Sequence, residues 1–174
     1  MGLDIYFSRF KRDKYAEFCE KNKVANKNLK DLETKLHKKY GAGFDRWSEE
    51  DRKRYADLYD KCPSEKDYGK EIGYFRKVNF LLPFFGYEEN TTDFEVSLQQ
   101  VKDLKDACEQ VLAHKGEDDH YYAKKLLPTA SGFFFGSTDY NDYYYDDVKA
   151  VGEWADKVVD ETSDDDIIIM YCWW

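Results

Sequence analysis

The sequence predicts an α+β fold: a mostly helical single domain of residues 1–174 with a small sheet formed by its N- and C-terminal strands. At the N-terminus, Leu3, Ile5 and Phe7 alternate with more polar residues, which is the period of a half-buried strand. At the C-terminus, the β-branched and aromatic run 167–174 favours a second strand that pairs with the first. Between these strands, most apolar residues recur at helical spacing.

The composition supports a packed domain. Hydrophobic residues make up 42% and aromatic residues 18% of the chain, which is enough for a core although 36% of the residues are charged. The four cysteines are far apart and form no Cys-x-x-Cys pair, as expected of free thiols in a reducing compartment. With no signal peptide and no run of about 18 apolar residues, the chain is expected to be cytoplasmic and to lack a membrane span.

The segment 10–68 is predicted to be a helical insertion in the domain. An apolar stripe predicts one helix over about residues 14–39. Ser48 and Asp51 have the spacing of an N-cap for a shorter second helix. The lysine-rich face of the first helix also contains acidic residues, so we interpret it as a solvated surface and expect no direct DNA binding.

Three further helices are predicted in the middle of the chain. Residues 71–85 carry apolar side chains at helical spacing. Thr92 and Glu95 have the spacing of a capping box, and the apolar stripe behind them predicts a helix to about Ala113. Residues 117–126 are expected to form a short helix.

The stretch Leu126–Val148 is the most distinctive of the chain. Pro128 ends the preceding helix because proline lacks an N–H group. Gly132 and Gly136 flank three consecutive phenylalanines, which we expect to form a buried turn–strand–turn.

A long helix is predicted from Asp139 to about residue 161, with an N-cap supplied by Ser137, Thr138 or Asp139 itself. The face of this helix opposite its apolar stripe is acidic and carries Asp142, Asp146, Glu153, Asp156 and Asp160. Charge is also polarised along the chain. Residues 1–87 contain 20 basic and 15 acidic residues, whereas residues 88–174 contain 7 basic and 21 acidic residues. Such polarity can steer a partner, but a solvated acidic surface accounts for it equally well.

Familiar catalytic and metal-binding patterns are missing. His114 and His120 flank a polar loop that lacks the four-ligand spacing of a structural metal site. The chain has neither the G-x-S-x-G motif of a serine nucleophile nor a phosphate-binding P-loop. We therefore expect no catalytic residue, metal or cofactor, and an enzyme is the least favoured class.

A ligand site is predicted around Arg76, where cationic and amide side chains lie beside two aromatic rings. Arginine can bind a phosphate or carboxylate through two hydrogen bonds, and aromatic faces can stack on a base. The alternative is that Arg76 pairs with an acidic residue of the 139–161 helix and only stabilises the fold. The predicted pocket lies between the 71–85 helix and the Phe133–Ser137 turn. Its candidate ligand-binding residues are Tyr74, Arg76, Lys77, Asn79, Ser131, Phe134, Ser137 and Tyr144.

The opening MGLDIYF, the segment EIGYFRKVNF and the block LLPTASGFFFGSTDYNDYYYDD, with an aromatic C-terminal strand, resemble a known group of proteins. This is a family of small uncharacterised proteins encoded by bacteriophages and mobile elements. The resemblance covers residues 2–8, 71–85 and 126–174, and does not extend to 10–68. It implies a phage accessory protein that acts in the cytoplasm of the bacterial host.

Three functions are compatible with these observations. The first is a binding protein that counteracts host defence by sequestering a small anionic ligand, such as a signalling nucleotide. The second is an acidic protein–protein inhibitor that mimics nucleic acid and blocks a host defence enzyme. The third, less favoured, is a hydrolase. The partner is accordingly a small anion or a host defence protein, and a homo-oligomer is possible.

Overall fold

The computed structural model describes residues 2–87 and 94–174 and has an α+β fold in which helices predominate. The strands form a four-stranded antiparallel sheet with the order β2-β1-β4-β3. Along the chain the elements are β1 (Asp4–Lys11), α1 (Arg12–Tyr40), α2 (Glu49–Tyr59), β2 (Gly69–Arg76), α3 (Leu81–Phe85), β3 (Phe94–Val96), α4 (Leu98–Ala113), α5 (Tyr121–Leu126), α6 (Asp142–Glu161) and β4 (Asp166–Trp173).

The two terminal strands lie side by side at the centre of the sheet, which confirms the predicted pairing of the chain ends. At one edge of the sheet, β3 runs antiparallel to β4, with Phe94 opposite Met170 and Val96 opposite Ile168. The sheet is wider than predicted because β2 and β3 extend it on either side of the central pair.

The prediction of a helix over residues 71–85 is wrong. Gly69–Arg76 forms strand β2 beside β1, and only Leu81–Phe85 is helical. Isoleucine, tyrosine and phenylalanine in this segment favour a strand as soon as a neighbour is available for pairing. Gly73 lies under the indole of Trp154, where a Cβ atom would clash with Nε1. That close approach explains a glycine inside the strand.

The start of α4 also differs from the prediction. Thr92 lies outside the described residues, and Glu95 belongs to β3 rather than to a helix. The capping box is formed instead by Ser97 and Gln100. The Ser97 hydroxyl accepts a hydrogen bond from the Gln100 backbone N–H at 3.1 Å, and the Gln100 side chain accepts one from the Ser97 N–H at 2.9 Å. The short helix predicted from Glu117 begins only at Tyr121.

The buried strand predicted around the three phenylalanines is wrong as well. Residues 127–141 contain neither helix nor strand, and we call them the 127–141 loop. Phe133 is 95% exposed at its tip. The helix that follows begins at Asp142, and its N-cap is Asn141, whose side chain accepts a hydrogen bond from the Tyr144 N–H at 3.2 Å. Ser137, Thr138 and Asp139 all precede this cap because their segment is held in the loop by other contacts.

The chain divides into two compact units, one formed by Lys11–Gly69 and the other by the residues before and after it. In the first of these, α1 and Ser48-capped α2 pack around Leu32, Leu36 and Trp47. That the 10–68 segment is an insertion stays a prediction.

The second unit holds the larger core, in which α4 and α6 pack together. Gly152 permits this approach, since a Cβ atom there would lie 3.2 Å from the Cβ atom of Cys108. Residues of the sheet complete this core, among them Ile5, Phe7, Val96, Ile168 and Met170, together with Leu3 just before β1. Nowhere in the described residues is a helix both long enough and apolar enough to cross a membrane.

Candidate ligand-binding site

A cleft with a volume of about 250 Å³ lies between the turn after β2 and the 127–141 loop. This is the place where the sequence predicted a pocket, although the segment before the turn is a strand and not a helix. Four of the eight predicted ligand-binding residues line the cleft: Lys77, Asn79, Ser137 and Tyr144. The remaining lining residues are Val78, Phe80, Thr129, Gly136, Asp139, Asn141, Tyr143 and Asp147.

Asn79 fixes the shape of the loop. Its side-chain amide, which is 3% exposed, donates to the backbone oxygens of Phe135 at 3.1 Å and Ser137 at 3.0 Å. Its Oδ1 atom accepts a hydrogen bond from the Ala130 N–H at 3.2 Å. Both polar groups of Asn79 are therefore engaged within the protein, and the residue positions the wall of the cleft.

Further hydrogen bonds anchor the loop to the sheet and to α6. The Leu3 N–H donates to the Phe134 oxygen at 2.9 Å, and the Tyr144 hydroxyl donates to the Leu127 oxygen at 2.9 Å. Burial raises the pKa of Tyr144, so its phenol stays protonated and keeps its donor. Within the loop, the Thr129 hydroxyl donates to the Thr138 oxygen at 3.1 Å. These contacts fix a segment without regular secondary structure.

Lys77 contributes the cation of the cleft. Its backbone is left-handed, with φ of 62°, and its N–H donates to the Leu3 oxygen at 2.7 Å. Gly136 faces it with φ of 90°, and a Cβ atom on that glycine would lie 3.1 Å from the Cβ atom of Lys77. Lys77 is exposed, and among the described residues its ammonium group has no hydrogen-bond or ion-pair partner.

Two carboxylates also line the cleft. Asp139 accepts a hydrogen bond from the Ser137 hydroxyl at 2.9 Å, and that hydroxyl accepts one from the Asp139 N–H at 3.0 Å. Asp147 is half-buried, and in the described part of the chain its carboxylate makes neither a hydrogen bond nor an ion pair. Burial, and to a smaller extent the neighbouring Asp146, raises the pKa of Asp147.

Tyr74 and Arg76 lie on β2 and are not among the residues that line the cleft. The Tyr74 hydroxyl donates to Oδ1 of Asp4 at 2.6 Å, and Nη1 of Arg76 lies 3.4 Å from the same oxygen. The partner of Arg76 is thus Asp4 of β1, and not an acidic residue of the 139–161 helix as the structural alternative supposed. The Arg76 side chain is still 54% exposed, whereas Asp4 is buried.

Ser131 and Phe134, the last two predicted residues, line a second and more apolar depression. It has a volume of about 620 Å³, and we call it the aromatic groove. Phe133 also lines the groove, and its ring centroid lies 4.7 Å from that of Phe134. The other residues that line the groove are Leu82, Pro83, Tyr87, Ala130, Gly132, Phe135 and Trp174.

Sequence reasoning missed eight of the residues that line the cleft, among them Thr129, Tyr143 and Asp147. A signal for Asp147 was present, because it follows Tyr143 by four positions and Tyr144 by three. Residues at those spacings lie on one face of a helix. Thr129 had no such signal, since a loop conformation brings it to the cleft.

The acidic face of α6 is partly neutralised. Lys105 lies 2.6 Å from Asp156, and Lys115 lies 2.9 Å from Asp142. These contacts lower the net negative charge that a nucleic-acid mimic would present.

His114 and His120 each contact a tyrosine side chain. His120 Nδ1 lies 2.9 Å from the Tyr145 hydroxyl, and the ring of His114 stacks on Tyr122 with centroids 3.8 Å apart. Within residues 2–87 and 94–174, no group of three or more histidine, cysteine or acidic side chains is arranged to hold a metal ion.

Neither the family models nor the curated proteins nor the solved structures include one that matches this chain.

Proposed function

We propose that this protein binds a small anionic ligand, such as a nucleotide, in the cleft between the turn after β2 and the 127–141 loop. The observation that carries the proposal is Lys77. Lys77 has a φ of 62°, in the left-handed region. This conformation costs an L-residue roughly 1–2 kcal/mol, whereas glycine adopts it readily. Such backbone conformations concentrate at functional sites, and here the strained residue supplies a cation without a partner in the described chain.

The remaining groups of the cleft suit a nucleotide. A phosphate would pair with the Lys77 ammonium group, and the ring of Tyr143, which is 79% exposed, offers a face for a base. A cleft of about 250 Å³ is too small to enclose a whole mononucleotide, so one side of the ligand would face solvent.

The biological role belongs to the same proposal. Together with the resemblance to phage-encoded proteins, binding of a small anion fits sequestration of a host signalling nucleotide. The protein would then act in the host cytoplasm and counteract a defence system by lowering the free concentration of its messenger.

The test is a thermal-shift series with AMP, GMP and cyclic dinucleotides. A ligand at 100 times its dissociation constant stabilises a protein by about 2.7 kcal/mol, which is readily measured. We expect Lys77→Gln to abolish the shift and Lys77→Arg to retain most of it. Lys70→Gln is the matched control, since Lys70 is an exposed lysine on β2 that does not line the cleft. A shift that survives Lys77→Gln would exclude this cleft as the site.

A second candidate is an inhibitor that binds a host defence protein. Phe133 favours it, because a ring that is 95% exposed beside an apolar groove is typical of a protein contact. Absence of a shift with every nucleotide, combined with loss of partner binding in Phe133→Ser, would support this candidate over the first.

A further inference from the structure

Among the described residues that line the cleft, one cation is unengaged and one carboxylate has neither oxygen engaged. The other acidic and amide side chains each have a partner: Asp139 accepts from the Ser137 hydroxyl, Asn141 accepts from the Tyr144 N–H, and Asn79 binds the loop backbone. Both oxygens of Asp147 are therefore free to accept hydrogen bonds from a ligand. A ligand that fills the cleft must therefore satisfy a carboxylate as well as an ammonium group.

We propose that Asp147 is a specificity-determining residue that selects ligands presenting two adjacent N–H donors, as guanine does, over ligands that present an acceptor, as adenine does. The inference rests on the proposed function, in which Lys77 holds the phosphate. A carboxylate can accept two parallel hydrogen bonds from neighbouring N–H groups, which is the arrangement of N1 and the exocyclic amino group of guanine. Adenine offers one donor beside the acceptor N1, whose lone pair repels the carboxylate.

The surroundings of Asp147 make this selection strong. The groups that face the cleft with it are Lys77 from the turn, Asp139 and Ser137 from the loop, and Tyr143 from α6, with Asp146 next to it in sequence. Half-buried and without a partner in the described chain, the carboxylate is poorly solvated, and burial raises its pKa. Two N–H donors restore the hydrogen bonds that burial removed. A ligand without them leaves the charge unsatisfied and binds more weakly.

The experiment measures the dissociation constants of GMP, IMP and AMP by calorimetry on the full-length protein. These three probes share the phosphate and ribose and differ in the edge of the base. IMP keeps the N1 donor of guanine but lacks its 2-amino group. AMP lacks the 2-amino group as well, and its N1 is an acceptor beside a 6-amino group. A bidentate contact discriminates between bases by about 10- to 100-fold. We expect GMP to bind at least about 10-fold more tightly than AMP, with IMP between them.

Asp147→Asn then tests the residue. Its amide keeps the shape but pairs one donor with one acceptor, which matches adenine, so the preference for GMP over AMP should vanish or reverse. Asp146→Asn is the control, since it removes a neighbouring charge from a residue that does not line the cleft. It should keep the preference of the parent.

The outcomes separate the two proposals. Equal binding of the three nucleotides by the parent protein, or a preference for GMP that survives Asp147→Asn, would overturn the role of Asp147 while leaving a nucleotide site. If none of the three binds the parent protein, this inference fails, and the proposed function fails with it if the cyclic dinucleotides also give no thermal shift. If Asp147→Asn does not fold, Asp147→Ala replaces it: without the carboxylate it should bind the three nucleotides equally, and a preference for GMP that survives would overturn the role of Asp147.

Discussion

At the scale of single residues, neighbouring side chains at the end of β2 and in the turn after it have different roles. Arg76 and Tyr74 both contact the carboxylate of Asp4. Lys77 lines the cleft, and the side chain of Asn79 is hydrogen-bonded to the loop backbone. All three were candidates for ligand binding because arginine, lysine and asparagine are common ligand contacts. Their backbone positions and their partners decide which of them is available.

The first residue-scale prediction concerns Asn79→Asp. The substitution replaces the amide, which donates to two backbone oxygens, by a carboxylate oxygen that can only accept. We expect the free energy of unfolding to fall by about 2–4 kcal/mol, because two partly buried acceptors lose their donor and face a negative charge. Urea unfolding at neutral pH measures the change. Asn28→Asp, at an exposed position, is the control and should have little effect. A loss below about 1 kcal/mol would show that the loop does not depend on Asn79.

The second residue-scale prediction concerns pH and Asp147. Because burial raises its pKa in the folded protein above the ordinary value of 3.8, the folded state holds this proton when the unfolded state has released it. The contribution of Asp147 to stability therefore falls as pH rises from the unfolded pKa through the folded pKa, and stays low above that window. We expect Asp147→Asn to match the parent near pH 3 and to be more stable at neutral pH.

Urea unfolding across this pH range checks the prediction. Asp160→Asn, which changes an exposed carboxylate near the other end of α6, serves as the control and should not reproduce the pattern. A difference between Asp147→Asn and the parent that does not vary with pH would contradict it.

At the scale of secondary-structure elements, the contact between β2 and α6 is unusually close. The indole of Trp154 lies over Gly73, donates from Nε1 to the Ile72 oxygen at 2.7 Å, and packs against Phe7 and Phe75. The hydrogen bond uses a carbonyl of an edge strand, and the ring fills the space that a side chain at position 73 would need. This contact places β2, and with it the turn that holds Lys77.

The element-scale prediction is that Gly73→Ala destabilises the protein by about 1–3 kcal/mol, the usual effect of overpacking a core. The new methyl group would force the indole away from Ile72. In the double variant Gly73→Ala with Trp154→Phe, the smaller ring leaves room for the methyl group, so the combined loss should be less than the sum of the two single losses. A double-mutant cycle of unfolding free energies measures this coupling. Strict additivity would mean that the two positions do not contact each other.

At the scale of the whole molecule, the chain forms two compact units of unequal size. The core cluster of the larger unit contains no residue of 11–69, and the smaller unit packs around its own cluster of Leu32, Leu36 and Trp47. Since β1 and β2 are neighbours in the sheet, Phe10 and Lys70 are positions that a short connection can join.

The prediction at this scale is that replacing residues 11–69 by a short glycine–serine linker leaves a folded remainder. Its core stays intact, and a short hairpin connection between antiparallel strands has a low entropic cost. Circular dichroism should show the helical signal of α4 and α6 and a single cooperative melt. A remainder that stays unfolded would show that the larger unit depends on the smaller one.

How much of this fold follows from the sequence depends on the range of the contacts involved. The helical stripes of α1, α4 and α6 and the N-cap at Ser48 are set by residues three or four positions apart, and the predictions made from them are confirmed. The terminal strands were also foreseen, because alternation and β-branched composition are local properties. A cleft adjoins Lys77 and Ser137, two of the predicted ligand-binding residues, and that it binds a ligand stays a prediction.

Features that depend on contacts between residues far apart in the sequence were decided only by the tertiary structure. Strand β2 forms because β1 pairs with it and because Trp154 needs the space over Gly73, a contact between residues 81 positions apart along the chain. The 127–141 loop takes its shape from Asn79 and Leu3, which no local pattern around the three phenylalanines could indicate. The sequence alone determined which segments repeat with a helical or strand period. Hydrogen bonds and close packing between remote segments decided which polar side chains remain free to meet a ligand.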